Sequence, residues 1–291
     1  MKTIKTIEEM QLTQDELHKQ QRSIGFVPTM GYLHDGHLAL IKEARKENDI
    51  VVVSIFVNPL QFNQASDLDQ YPRDLERDEK LLIEEAVDYV FYPSNDAMYP
   101  KPLSVDLSLN QRGDVLCGTT RPGHFEGVLM VLTKLFNIVN PNRVYFGLKD
   151  AQQVAVVDGL INDFNFNIEL VPVPTVREVD GVAMSSRNVN LSTDERQEAH
   201  HIYMSLLKGQ QLIQASNWTR QDVIDEIDNF LKHTLSGQVD YVDCLTYPEL
   251  TREITEKHDI IIAVAVKYQN ARLIDNIILT PSGDVKYRSE A

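Results

Sequence analysis

The sequence predicts an α/β protein: a Rossmann-like parallel sheet with helices on both faces, followed by a smaller C-terminal α+β domain. Three observations predict it. The first 175 residues alternate short apolar runs with amphipathic stretches, the pattern of successive βαβ units. One run, Ile50–Val57 (IVVVSIFV), is apolar without alternation, as a strand buried on both faces must be. After Val173-Pro174 the pattern becomes two helices and then three strand-like runs with no long helix between them. That spacing predicts a small antiparallel sheet, so the expected domains are residues 1–175 and 176–291.

Each element has its own reason. Ser23–Thr29 (SIGFVPT) reads as the first strand, running through Gly31 into a helical pattern that lasts to about Glu47. Ile50–Val57 is the second strand. Arg73–Ala86 reads as a charged amphipathic helix with Leu75, Leu82 and Ile83 inward, and Val87–Tyr92 as a short strand. Gly127–Val139 is an apolar helix, Arg143–Phe146 a strand, Asp150–Asp163 a helix and Ile168–Val173 a strand. Past the boundary, Ser192 and Glu195 have capping-box spacing and open a helix to about Ala215. A second helix spans Arg220–Leu235, capped by Thr219, and the strands are Val239–Leu245, Ile260–Val266 and Leu273–Leu279.

Composition narrows the function. The 291 residues carry 28 Lys and Arg against 43 Asp and Glu, a net charge of −15. A chain this acidic repels nucleic acid and anionic membranes unless basic residues cluster, and no Lys/Arg run does so. No apolar window approaches the roughly 18 residues that span a bilayer, and Met1-Lys2-Thr3-Ile4 lacks a signal-peptide core. The two cysteines, Cys117 and Cys244, are far apart, which excludes a disulfide scaffold or Cys-type zinc site and fits a reducing compartment. The expectation is a cytoplasmic protein with small-molecule partners, no nucleic acid and no membrane.

Five segments carry residues suited to chemistry. Pro28–His37 (PTMGYLHDGH) lies between the first strand and the first helix. Ligands of open parallel sheets bind at the carboxyl ends of strands, and a helix N-terminus there offers free N–H groups and partial positive charge. His34 and His37 are three apart and share a face, so two imidazoles could donate to phosphate oxygens. A plain strand–turn–helix junction would also account for them. Phe56–Phe62 (FVNPLQF) ends the second strand and brings Asn58 and Gln61 to the same edge; Asn-Pro alone is a turn signal. Arg121–Gly127 (RPGHFEG) precedes the apolar helix, and Arg121 and His124 could meet a carboxylate, or serve only a Pro-Gly turn. Phe146–Gln153 (FGLKDAQQ) again joins a strand to a helix, with Lys149 as a phosphate cation and Asp150 at an N-cap position. Met184–Asn188 (MSSRN) offers two hydroxyls and an arginine on a loop. Four of the five follow strands, and their convergence argues for a phosphate-binding cleft.

In order, PTMGYLHDGH, FVNPLQF, YPRDLERD, RPGHFEGV, FGLKDAQQ and MSSRN resemble the pantothenate synthetase (pantoate–β-alanine ligase) family from about residue 20 to residue 285. His34-Asp35-Gly36-His37 is similar to the HxGH signature of the wider nucleotidyltransferase superfamily. The resemblance implies a two-step reaction. ATP and (R)-pantoate form pantoyl adenylate and pyrophosphate, and the amine of β-alanine then displaces AMP to give pantothenate. It implies that Met30, Gly31, Tyr32, Leu33, His34, Asp35, Gly36 and His37 line the ATP site, with His37 as proton donor. Gly147, Leu148, Lys149 and Asp150 would also bind ATP, with Val176, Met184, Ser185, Ser186 and Arg187, and the C-terminal domain would close over that site. His34, His37 and Lys149 would be catalytic. Gln61 and Gln153 would hold pantoate, and Gln61, Asn58, Arg121 and His124 the β-alanine end. Leu148 stands where many members carry Glu or Gln. Magnesium (Mg2+) should accompany the triphosphate with no protein ligand assigned; Asp74 and Asp78 of YPRDLERD read equally as exposed helix charges. A homodimer is also implied. The competing readings are a nucleotidyltransferase that leaves its nucleotide on the product, and a silent nucleotide sensor on the same scaffold. An aminoacyl-tRNA synthetase fits poorly, because the chain is short and acidic.

Overall fold

A computed structural model describes residues 1–62, 68–69, 71–215 and 217–288. The chain forms two compact units. The first comprises Met1–Gly113, Gly118–Gly147 and Val156–Val173; the second comprises Pro174–Ala291 together with Asp114–Cys117 and Leu148–Ala155.

The first unit holds strands β1 (Lys2–Ile4), β2 (Ile24–Thr29), β3 (Ile50–Ile55), β4 (Tyr89–Phe91), β5 (Arg143–Gly147) and β6 (Glu169–Val173). Among the described residues these make one parallel sheet in the order β1-β4-β3-β2-β5-β6. All six residues of β3 are buried, which is why its sequence lacks alternation. Successive residues still face opposite sides: Val51, Val53 and Ile55 join a core with Leu40, Ile41 and Ala44 of α2 (Asp35–Glu47), whereas Val52 turns the other way. The apolar helix is α4 (His124–Val139), and it buries eleven of its sixteen residues. Each large apolar side chain fully buried there contributes about 1.5–3 kcal/mol.

Two departures from the sequence reading have local causes. Strand β1 and helix α1 (Ile7–Lys19) precede the first expected strand. A three-residue strand gives no period to read, but α1 is announced by Thr6, whose side chain accepts the Glu9 N–H as an N-cap. Helix α3 (Leu75–Glu84) buries Leu82 and Asp78, while Ile83 is 60% exposed. The inward face is therefore rotated from the expected one, and a carboxylate occupies it. Asp74, read as an exposed charge, caps α3 by accepting the Arg77 N–H at 3.1 Å.

The second unit contains α6 (Thr193–Glu198), α7 (His200–Gln214) and α8 (Arg220–Thr234), with strands β7 (Gln238–Tyr247), β8 (Asp259–Lys267) and β9 (Arg272–Leu279). Helix α5 (Ala151–Asp163) begins in this unit and ends in the first. The single helix expected from Ser192 is two, divided at Ala199, and its capping box is present: Ser192 Oγ accepts the Glu195 N–H and Glu195 accepts the Ser192 N–H. The three strands form an antiparallel sheet in the order β7-β8-β9. Leu206, Ile227, Leu231, Ile262 and Val264 form its core with α7 and α8.

Candidate active site

In the first unit the strand order reverses between β2 and β5, the point where an open α/β sheet binds its ligands. Strand β2 ends at Thr29, whose hydroxyl donates to Ser54 O at 2.8 Å and accepts the Gly31 N–H at 3.1 Å. Gly31 and Tyr32 then take positive φ, +82° and +51°. A Cβ on Gly31 would meet Ile55 Cγ2 at 2.9 Å, so glycine is required there for conformation and for space. Asp78 closes the turn from α3, accepting the Tyr32 N–H at 2.7 Å and the Leu33 N–H at 2.8 Å. Leu33 buries its side chain completely.

The turn delivers His34 and His37 to the N-terminus of α2. His34 is the N-cap: its Nδ1 accepts the Gly36 N–H at 3.1 Å, and His37 Nδ1 accepts the His34 N–H at 3.4 Å. A nitrogen that accepts a backbone N–H carries no proton, so each neutral imidazole bears its N–H on Nε2. The two rings lie 4.1 Å apart between centroids. The helix thus presents two Nε2–H donors beside its positive end. Asp35 is exposed in the first turn, where an acidic residue suits the helix dipole.

The second strand leads into a buried polar cluster. Asn58 is 1% exposed. Its Oδ1 accepts the Tyr99 hydroxyl at 2.9 Å and the Leu60 N–H at 3.4 Å, and its Nδ2 donates to Gly127 O at 3.0 Å and Gln61 Oε1 at 3.2 Å. Both of its polar atoms are engaged by the protein. Its bond to Gln61 Oε1 orients the Gln61 amide. The Gln61 amide is turned so that Nε2 donates to Met30 Sδ at 3.2 Å. His124 Nε2 accepts from Arg121 at 3.2 Å, which leaves Nδ1–H to donate to Gln61 O at 2.8 Å. The RPGH and NPLQ segments, separate in sequence, therefore form one cluster. Tyr99 completes it without having been expected, and burial pushes its phenol pKa well above the usual value. No sequence motif marks Tyr99, because its role depends on where the short helix Asn95–Met98, which it ends, lies after β4.

In the second unit Lys149 follows Gly147 at the end of β5, and its Nζ lies 3.5 Å from Asp150 Oδ2. Asn276 of β9 donates to Leu148 O and Lys149 O at 2.9 and 3.0 Å, fixing this loop without being visible as a motif. Gln153 is half-buried in the first turn of α5. Met184 N–H donates to Val176 O at 3.0 Å, so two expected ATP residues face each other across one hairpin. The hairpin is braced by Arg177, paired in two places with Asp275 at 2.6 and 3.0 Å and 3.7 Å above the Tyr203 ring. Ser185 caps the turn Ser186–Asn190 by accepting the Arg187 N–H at 3.3 Å. Among the described residues no group of three or more His, Cys, Asp or Glu side chains is placed to hold a metal, and no helix is long and apolar enough to cross a membrane.

Residues 2–278 match the family model described as pantoate-beta-alanine ligase. A pantothenate synthetase of Bacillus cereus (strain G9842) is 53% identical over 280 residues, covering 96% of this chain and 99% of the relative. The crystal structure of pantothenate synthetase from Thermus thermophilus superposes with a TM-score of 0.86 at 40% identity, covering 95% of this chain and 99% of that one. A pantoate-beta-alanine ligase from Francisella tularensis, solved in complex with beta-gamma ATP and beta-alanine, gives 0.79 at 35% identity over 97% of this chain and 100% of that one. The chain belongs to the pantoate–β-alanine ligase family.

Proposed function

We propose that this site joins (R)-pantoate to β-alanine at the expense of ATP, giving pantothenate, AMP and pyrophosphate through pantoyl adenylate. One observation carries the residue-level reading: two imidazoles with Nε2–H donors on a helix N-terminus, at the sheet's reversal point. The ligase reaction itself is that of the family.

In the first step a pantoate carboxylate oxygen attacks the α-phosphorus and pyrophosphate leaves. Negative charge moves onto the phosphate oxygens. His34 and His37 supply Nε2–H donors to it, and His37 hydrogen-bonds the departing pyrophosphate; fixed donors of this kind need no reorganisation as the charge grows. Lys149, with Met30–His37, Gly147–Asp150, Val176 and Met184–Arg187, serves the same nucleotide. Gln61 and Gln153 hold pantoate, and Gln61 is pre-oriented by Asn58 and His124. In the second step the β-alanine amine attacks the acyl carbon, AMP leaves and the amine loses a proton. Arg121, beside His124, suits the β-alanine carboxylate. Mg2+ bound with ATP would neutralise charge on the phosphates, and such an ion commonly keeps phosphate oxygens and water among its ligands. A cytoplasmic homodimer belongs to the same reading; sedimentation of the purified chain checks the subunit number.

The experiment follows pyrophosphate and AMP in reactions with ATP, Mg2+ and (R)-pantoate, with and without β-alanine. Sustained AMP release requiring both acids, with a pyrophosphate burst on pantoate alone, is the expected result. Pyrophosphate without AMP, or no dependence on pantoate, overturns it in favour of a transferase that keeps the nucleotide or of a nucleotide sensor.

A further inference from the structure

The turn that delivers the two histidines rests on a carboxylate to which the family reading gives no role. Asp78 is 1% exposed. Its oxygens are divided between adjacent amides, Oδ2 accepting Tyr32 N–H at 2.7 Å and Oδ1 accepting Leu33 N–H at 2.8 Å. The guanidinium of Arg77 stays 3.7 Å from Oδ1, half exposed, and lies over the Tyr32 ring at 5.2 Å. The buried charge is therefore met chiefly by two successive backbone N–H groups, a small anion nest. Those N–H groups belong to a backbone that resists its own shape. Tyr32 has a side chain at φ +51° directly after Gly31 at +82°, and such a conformation persists only where its surroundings over-determine it. Thr29 secures the near side of the turn; Asp78 secures the far side.

We infer that Asp78 is a positioning residue for the nucleotide step: its carboxylate holds Gly31–Leu33 in the left-handed turn and so sets where the Nε2 atoms of His34 and His37 point. The inference rests on the role proposed above for those histidines. Burial raises the Asp78 carboxyl pKa, and the Leu33 and Tyr32 amides, then Arg77, offset that rise only in part. An ionised carboxylate kept in that balance costs stability, so its place on the inner face of α3 is better explained by the turn it holds than by the helix.

The test compares Asp78→Asn with Asp74→Ala. The first keeps size but sets an amide NH2 against one of the two N–H donors. The second removes the N-cap of the same helix and leaves the turn's own bonds in place. Three readouts are taken: single-turnover adenylate formation from ATP and pantoate, calorimetric pantoate binding, and the Cε1–H resonances of the eight histidines, assigned with His34→Ala and His37→Ala. Asp78→Asn should slow adenylate formation about 10-fold or more, the cost of one unsatisfied buried donor. It should leave pantoate affinity within about twofold and shift the His34 and His37 resonances, while Asp74→Ala does none of these. Unmoved resonances, or equal slowing in both variants, overturn the inference. If the wild-type chain forms no adenylate, the proposed role of the histidines fails, and the resonances alone still decide whether Asp78 positions them. Should Asp78→Asn not fold, Asp78→Ser, which keeps one acceptor and no buried charge, gives the same readouts.

Discussion

At His37 and Lys149 the question is what a single donor contributes when charge develops on phosphate. Loss of one such group from a preorganised site typically costs 10²–10³-fold in rate, so His37→Ala and Lys149→Ala should each slow adenylate formation by about that factor. Single-turnover pyrophosphate release measures it, and near wild-type rates in either variant remove that residue from the chemistry. Gln61 sits differently. Its amide is clamped by Asn58 and its carbonyl by His124, so its cost of ordering is met before substrate arrives. Gln61→Ala should weaken pantoate by about 10-fold or more, the worth of a hydrogen bond made inside a dry site, and ATP much less. Separate titrations of the two ligands decide it, and equal losses contradict the assignment.

Among the elements, the contact between α4 and the 3-10 turn Pro59–Gln61 governs the cluster of Asn58, Gln61 and His124. A Cβ at Gly127 would come within 2.4 Å of Leu60 O. Backbone cannot swing aside as a long side chain can, so Gly127→Ala must push the turn and helix apart and stretch the Asn58 bond to Gly127 O. The expected result is a loss of about 1–3 kcal/mol in stability, as for other overpacked sites, together with a raised KM for pantoate. Thermal melts and steady-state kinetics check both halves, and an unchanged KM shows that the turn tolerates the shift. The existence and order of most of these elements were legible in the sequence because apolar period and end signals report local structure. Rotation of α3 was not. Placing Ile83 outward and Asp78 inward depends on the turn after β2 needing an acceptor, and no window of α3 contains that fact.

For the whole molecule, the net charge of −15 makes acid the natural probe of stability. In the second unit, burial alone would raise the Asp240 carboxyl, but Lys267 and Arg272 outweigh it and hold it below its ordinary value of 3.8. Arg196 holds Asp180 down in the same way. A carboxylate depressed in the folded state adds stability above its unfolded pKa and loses it as pH falls through the folded one. The single tryptophan, Trp218, packs against this unit's core, so its fluorescence reports the unit selectively. Its urea midpoint should fall as pH drops from about 5 to about 3, and Asp240→Asn should lower the midpoint at pH 7 while flattening that dependence. A parallel slope in the variant shows that other carboxylates dominate. By itself the sequence determined the parallel sheet, the antiparallel C-terminal strands, the two strand–helix junctions and the histidine pair, because periodicity, capping and motif spacing are local. The tertiary structure decided that Asn58 orients Gln61, that His124 and Tyr99 join that cluster, that Asn276 fixes the Lys149 loop and that Asp78 holds the histidine turn. All but the first of these are hydrogen bonds between residues from 41 to 128 positions apart, and the first is the saturation of a buried amide. Burial and partner identity exist only once the chain has closed.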